Sequence, residues 1–385
     1  MRNTNINKRT TLEIYFNKKR LVFVSLLDRS LSFLYSFKHS RFISRDFTQY
    51  KKILIFESHL IGDVIMGLPA YRAIRQRFPD AEVIFWGNRW GKDLLEDQEV
   101  FDKFFITRIP WSTYDYSLSN LRRLFSQIRQ LRRLNIDIAL DFRGDIRNIF
   151  LLLLIGARRR VGYDFTGGAY WLTDIVPAPG KWHLIERNLN VVRYLGAEND
   201  EDVPSLHVPE AKIQAAKKYF DNQGLRNIVF LHPGASQPKR LWPPERFARI
   251  VEYLDNKGYS PVLLSPPNDK SIVESIKNNC RITLPVLSVR LSEIAAYLAC
   301  GEAFIGLDSG IGHIAAALGK NVIILFGPQP PSIACPRGSG KIGKVIKGDF
   351  ACRPCQKRFC DLNNACMKAI QVEDVIEAID EIENV

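Results

Sequence analysis

An aspartate, a serine and a histidine crowd one glycine turn in FIGLDSGIGHIAAALGKNVIILFGP, residues 304–328. The pattern predicts a buried strand ending near Asp308, a short helix, and a second buried strand. The amides of residues 309–313 would then point out of a helix N-terminus, where phosphate and diphosphate bind readily. In open α/β sheets, ligands sit at the carboxyl ends of strands. Asp308, Ser309, Gly310 and His313 are therefore candidates for an anion-binding turn. A capped, buried histidine is the plainer reading of His313. GIGH is not GxGxxG, so no dinucleotide fingerprint is read here.

Two further stretches could do chemistry. In FLHPGASQPKRLWPPERFARI (230–250), a buried strand opens into a loop before a proline-initiated helix. Gly234 would let the backbone approach a ligand closely. Lys239 and Arg240 add cations beside it, and loop amides with a cation suit a phosphate. A solvated basic loop is the alternative. In ESHLIGDVIMGLPA (57–70), a strand ends and a helix starts near Asp63. Asp63 reads either as a helix N-cap or as a carboxylate facing a cleft.

The elements that must position these residues alternate along the chain. KKILIFES, AEVIFWG and IDIALDF read as strands, with GDVIMGLPAYRAIRQRFPD and LRRLFSQIRQLRRLN as helical stretches between them. The pattern fades in polar GAENDEDVPSLHVPE (196–210) and restarts with NIVFLHPG. Such alternation implies parallel, doubly wound sheets. Three regions are expected: a basic extension over 1–50, one α/β domain over 51–205 and a second over 206–385.

The chain has 385 residues and a formal net charge of +13. Its length predicts two domains, and its charge favours an anionic partner. The first fifty residues hold ten basic and three acidic side chains, about half of that net charge. Phe23, Leu27, Leu31 and Leu34 recur there at helical spacing, so a basic amphipathic helix on an anionic membrane is one expectation. A helix packed on the main body is the other. No apolar run is long enough to span a bilayer. No small-residue cleavage site follows the basic N-terminus, so a cytoplasmic protein is expected. The basic residues are dispersed without a recognition motif, which argues against nucleic acid.

Cys352, Cys355, Cys360 and Cys366 follow the spacing C-x2-C-x4-C-x5-C. In a reducing compartment, four thiols so close together suit a structural zinc or iron better than disulfides. A packed loop is the alternative.

Four ordered stretches resemble glycosyltransferase family 9, the heptosyltransferases of lipopolysaccharide core synthesis. They are GDVIMGLPAYRAIRQRFPDAEV, DIALDFRGDIRNIFLLLLIGARRRVGY, HPGASQPKRLWPPERF and GLDSGIGHIAAALGKNVIILFG. The last is similar to the family's G-x-DTG-x-x-H-x-AAALG pattern. The resemblance covers most of residues 51–330 and implies a GT-B fold, with two Rossmann-like domains facing across a cleft. It implies an ADP-heptose donor, inversion at the anomeric carbon, and no metal or cofactor in catalysis. By motif, Asp63 matches the proposed general base. Arg240 matches the cation that neutralises the donor phosphates, with Lys239 as an adjacent substitute. Asp308, Ser309, Gly310 and His313 match the donor-binding turn.

The departures fall on the acceptor side. Glu57 stands where the family is usually basic, His59 where a small hydroxylated residue is common, and Arg143 where glutamine is common. They leave open the acceptor: a lipopolysaccharide core precursor, or another glycan such as a capsule intermediate, or a surface protein. A nucleotide-sugar-binding protein without catalysis is a different class, and retention of Asp63 argues against it.

Overall fold

The computed structural model describes residues 50–178, 183–198, 202–265 and 270–382. The helix expected around Phe23, Leu27, Leu31 and Leu34 lies outside the described residues. The described chain forms two compact units. The first holds residues 50–59, 70–178 and 186–198, and the second holds 60–69, 183–185, 202–265 and 270–382.

The first unit runs β1 (Lys52–Glu57), then α1 (Ile61–Arg77), whose first half counts with the second unit, and β2 (Glu82–Gly87). It continues through α2 (Arg89–Leu95), β3 (Lys103–Ile106), α3 (Pro110–Thr113), α4 (Leu118–Arg133) and β4 (Ile138–Asp141). It closes with α5 (Ile146–Leu154), β5 (Arg159–Gly162), β6 (Asp174–Ile175) and α6 (Leu184–Arg193). The second unit adds α7 (Glu210–Asp221), β7 (Ile228–His232), α8 (Pro244–Asn256), β8 (Ser260–Leu264), α9 (Lys270–Asn279) and β9 (Val286–Leu287). Then come α10 (Leu291–Ala299), β10 (Ala303–Leu307), α11 (Gly310–Ala317), β11 (Asn321–Leu325) and α12 (Pro331–Ala334). It ends with β12 (Ile342–Val345), α13 (Ala365–Lys368) and α14 (Val372–Glu381).

Each unit carries a six-stranded sheet, ordered β3-β2-β1-β4-β5-β6 in the first and β12-β11-β10-β7-β8-β9 in the second. Every strand pair is parallel. Read from its first strand outwards, each sheet has the same doubly wound order. This is the α/β architecture of the GT-B fold. The chain reverses direction between β1 and β4 in one sheet and between β7 and β10 in the other. Those two crevices are where such sheets bind ligands.

The strands are near-continuous apolar runs because helices cover both faces. Leu54, Phe56, Ile84 and Trp86 anchor one core of the first unit. Leu231, Ile305, Ile323 and Phe247 anchor that of the second. Amphipathic α4 turns Asn120, Leu124, Ile128 and Leu131 inwards, and the Ser117 hydroxyl caps it by accepting from the Asn120 amide at 3.3 Å. The apolar stretch IFLLLLIGA lies in and just after α5, where Ile149, Leu151 and Leu152 are buried. Among the described residues, no helix is long and apolar enough to cross a membrane.

Candidate functional site

The crevice between β7 and β10 gathers most of the expected donor residues. β10 ends at Leu307, Asp308 follows, and Ser309 precedes α11 as its N-cap. Ser309 makes no capping bond with its side chain; its hydroxyl lies 3.2 Å from His232 Nδ1 at the end of β7. Arg240 enters from the loop after β7. Its Nη1 donates to the Asp308 carbonyl at 2.9 Å and lies 3.1 Å from the Asp308 carboxylate. Arg240 Nε is buried with no hydrogen-bond partner among the described residues.

The first turn of α1 belongs to this same unit. Helix α1 begins at Ile61, so Asp63 is its third residue rather than its cap. The Asp63 carboxylate reaches back to accept from the Leu60 amide at 3.0 Å, one half of a capping box. Two glycines set the approach of α1 to α11. A Cβ on Gly62 would lie 2.8 Å from the His313 ring, and one on Gly310 would lie 2.6 Å from Ile61 Cβ. The structure thus brings Asp63, Arg240, Asp308, Ser309, Gly310 and His313 together.

Lys239 is not among them. It is buried, and its ammonium donates to the Cys355 carbonyl at 2.7 Å. Burial holds its pKa below the ordinary value. Lys239 and Arg240 are adjacent in sequence, but they lie in one turn of 3-10 helix (Pro238–Arg240) and serve different partners.

Burial dominates the electrostatics. It pushes the Asp308 carboxyl up; Arg240 partly offsets this, and the Asp63 charge adds to it. It pushes His232 and His313 down to about 4, with Asp63 opposing the shift at His313. Both imidazoles are therefore neutral near pH 7. The consequence for stability has a definite sign. Between pH 6.5 and 4 the unfolded chain binds protons that the folded histidines refuse, so their contribution is full above 6.5 and is lost as pH falls. Asp308 and Asp141 oppose this trend, so the informative quantity is a difference between proteins. The stability of wild type relative to His313→Asn should fall by about 3 kcal/mol between pH 7 and 4. Denaturant unfolding of both proteins across that range checks it, and a pH-independent gap contradicts it.

Sequence reasoning passed over His232 and His183. His232 stands inside the quoted HPGAS stretch but reads as the end of a strand. His183 is a lone histidine before an amphipathic helix, with no local signal. Its Nδ1 faces the Ile185 amide at 3.4 Å and its Nε2 faces the Cys335 carbonyl at 3.0 Å.

The expected acceptor residues lie in the first unit, at the carboxyl end of β1 and after β4. Glu57 is buried and bonded to His59 Nδ1 at 3.0 Å and to the His59 amide at 2.8 Å. Burial alone would push the Glu57 carboxyl up. The His59 hydrogen bonds and the His59 and Arg143 charges outweigh it, leaving Glu57 below its ordinary range. Asp141 is pushed up to about 6 by burial, although the Gly144 amide (2.6 Å) and the Asn148 amide group (2.9 Å) donate to it. Glu57, His59 and Arg143 thus lie together, with Asp141 near them.

The four clustered cysteines stand at different depths. Cys352 is exposed, while Cys366 is buried on short α13 beneath the second core. Among the described residues, no group of three or more His, Cys, Asp or Glu side chains could hold a metal ion. Side chains hold the loop's backbone, with Gln329 Nε2 and Lys239 Nζ both donating to the Cys355 carbonyl.

Comparisons with known proteins bear on the family and the fold. The model of glycosyltransferase family 9 (heptosyltransferase) matches residues 124–366. Lipopolysaccharide heptosyltransferase 3 of Escherichia coli is 26% identical over 341 residues, covering 83% of this chain and 96% of that protein. A family 9 glycosyl transferase from Veillonella parvula is similar in fold, with a TM-score of 0.73 at 20% identity over 87% of this chain and 97% of that one. The ADP-heptose lps heptosyltransferase II of E. coli follows, with a TM-score of 0.71 at 20% identity over 86% and 98% of the two chains.

Proposed function

Because this chain belongs to glycosyltransferase family 9, we propose that it transfers heptose from ADP-heptose to a lipopolysaccharide core precursor, with inversion. The observation that carries this reading is the meeting of the Asp63 carboxylate with the Arg240–Asp308 pair and the amino end of α11 in one unit. The names of relatives that use or make such molecules support the sugar and the acceptor.

In this reading the donor diphosphate lies at the amino end of α11. The helix amides and Arg240 stabilise the charge that grows on ADP as its bond to the anomeric carbon breaks. The acceptor hydroxyl attacks that carbon from the opposite face, and Asp63 takes its proton. One glycosidic bond forms, one phosphate ester bond breaks, and ADP leaves. Neutral His232 holds Ser309 at the turn, and neutral His313 packs against Gly62 without adding charge. Glu57, His59 and Arg143 select the acceptor. The enzyme works in the cytoplasm, at the inner face of a membrane that carries the acceptor.

A transfer assay with an acceptor panel tests this. ADP-heptose is offered with lipopolysaccharide core precursors, capsule intermediates and surface protein, and products are weighed by mass spectrometry. A core precursor gaining one heptosyl residue is expected. A gain on a capsule intermediate or on protein instead would place the same chemistry on another acceptor.

A further inference from the structure

The outward face of α4 is as ordered as its buried one. Leu118, Arg122, Phe125 and Arg129 recur every three or four residues and form one exposed stripe. Leu118 is 74% exposed and Phe125 56%, and Tyr114 and Tyr116 just before the helix are 85% and 59% exposed. Large apolar side chains held this far into water are costly unless something covers them. The helix has five arginines and no acidic residue. Among the described residues, neither Arg122 nor Arg129 pairs with a carboxylate.

We propose that this stripe is a docking surface for an anionic lipid membrane. Charge complementarity selects the occupant: cations interleaved with aliphatic and aromatic side chains suit a surface that is negative outside and apolar just beneath. Aromatic side chains settle at headgroup level, and basic helix faces are drawn to anionic lipids. Leucine would gain nothing from a nucleic-acid base or phosphate.

The stripe also stands in the right place. Helix α4 runs back from the carboxyl edge of the first sheet, so Tyr116 and Leu118 lie near that edge. Asn88 ties the edge to the stripe's approach: its amide group donates to the Ser58 carbonyl and to the Ser112 hydroxyl at 2.9 Å. Trp111 Nε1 donates to Asn148, which donates to Asp141. A membrane under the stripe would therefore present its headgroups beside the Glu57–His59–Arg143 group. This inference rests on the reading that the acceptor is lipid-borne.

Vesicle flotation with the full chain tests it. Vesicles of phosphatidylcholine, with and without phosphatidylglycerol, are offered to wild type, to Arg122→Glu/Arg129→Glu and to Leu118→Ser/Phe125→Ser. Wild type should bind the anionic vesicles and be released by salt. Each double variant should bind at least about tenfold more weakly. Its melting temperature and ADP affinity should match wild type, which separates this result from any failure of the donor assignment. Wild type floating with neither vesicle would overturn the proposal. So would either double variant binding as wild type does, since the lipid contact would then lie elsewhere on the chain.

Discussion

Asp63→Asn is expected to lower turnover by roughly 100-fold or more while melting temperature and ADP affinity stay near wild type. The substitution separates the helix-end task that the structure shows for this side chain from the proton-accepting task proposed for it. Asp63 accepts from the Leu60 amide and so holds the first turn of α1. Asparagine can accept the same hydrogen bond through its carbonyl oxygen. It cannot take a proton from an acceptor hydroxyl. Asp63→Ala loses both, and should cost about 1 kcal/mol of stability in addition to turnover. Melting temperature and turnover measured on both variants decide between the tasks. An asparagine variant that turns over normally beside an unstable alanine variant would reduce Asp63 to a helix-end role. Glu57 and His59 would then be the next candidates for the base.

Arg240→Ala is expected to weaken ADP binding by roughly 10- to 100-fold, the worth of a charge-assisted hydrogen bond. Arg240 is already engaged with Asp308, and that pairing aims it at the turn. Its buried Nε still lacks a partner among the described residues, so it has a donor to offer a diphosphate oxygen. Because the alanine would also leave the Asp308 carboxyl buried without its cation, Arg240→Gln serves as a second variant that keeps a donor for the Asp308 carbonyl. Titration calorimetry with ADP reads both. Unchanged affinity in both would move the phosphates away from this turn. Lys239→Ala should act differently, because Lys239 serves the Cys355 carbonyl.

The parts of this molecule legible in its sequence are those with strong periodicity or chemically crowded turns. β1, β2, β4, β7, β10 and β11 are largely apolar runs between helices, and all read as strands. β5 does not, because its sequence RRVG is half arginine and its burial depends on the Arg159–Asp174 ion pair. β6 and β9 are two residues long and carry no period at all. The Asp308 turn was readable because glycine, serine and histidine meet at the end of a strand. The separation of Lys239 from Arg240 was not, since sequence adjacency hides which way neighbouring side chains point. The capping role of Asp63 depends on whether the helix begins at Ile61 or three residues later, which the sequence leaves open. His232 and Ser309 are far apart along the chain, and only the pairing of β7 with β10 makes them neighbours.

The most direct test of glycosyl transfer is ADP release from ADP-heptose by the full-length protein, followed with and without a lipopolysaccharide core precursor. The account expects release that requires the acceptor and stops when it is exhausted, because Asp63 acts on an acceptor hydroxyl rather than on water. A protein that binds ADP yet releases none with any acceptor, or that releases it equally without one, would contradict it.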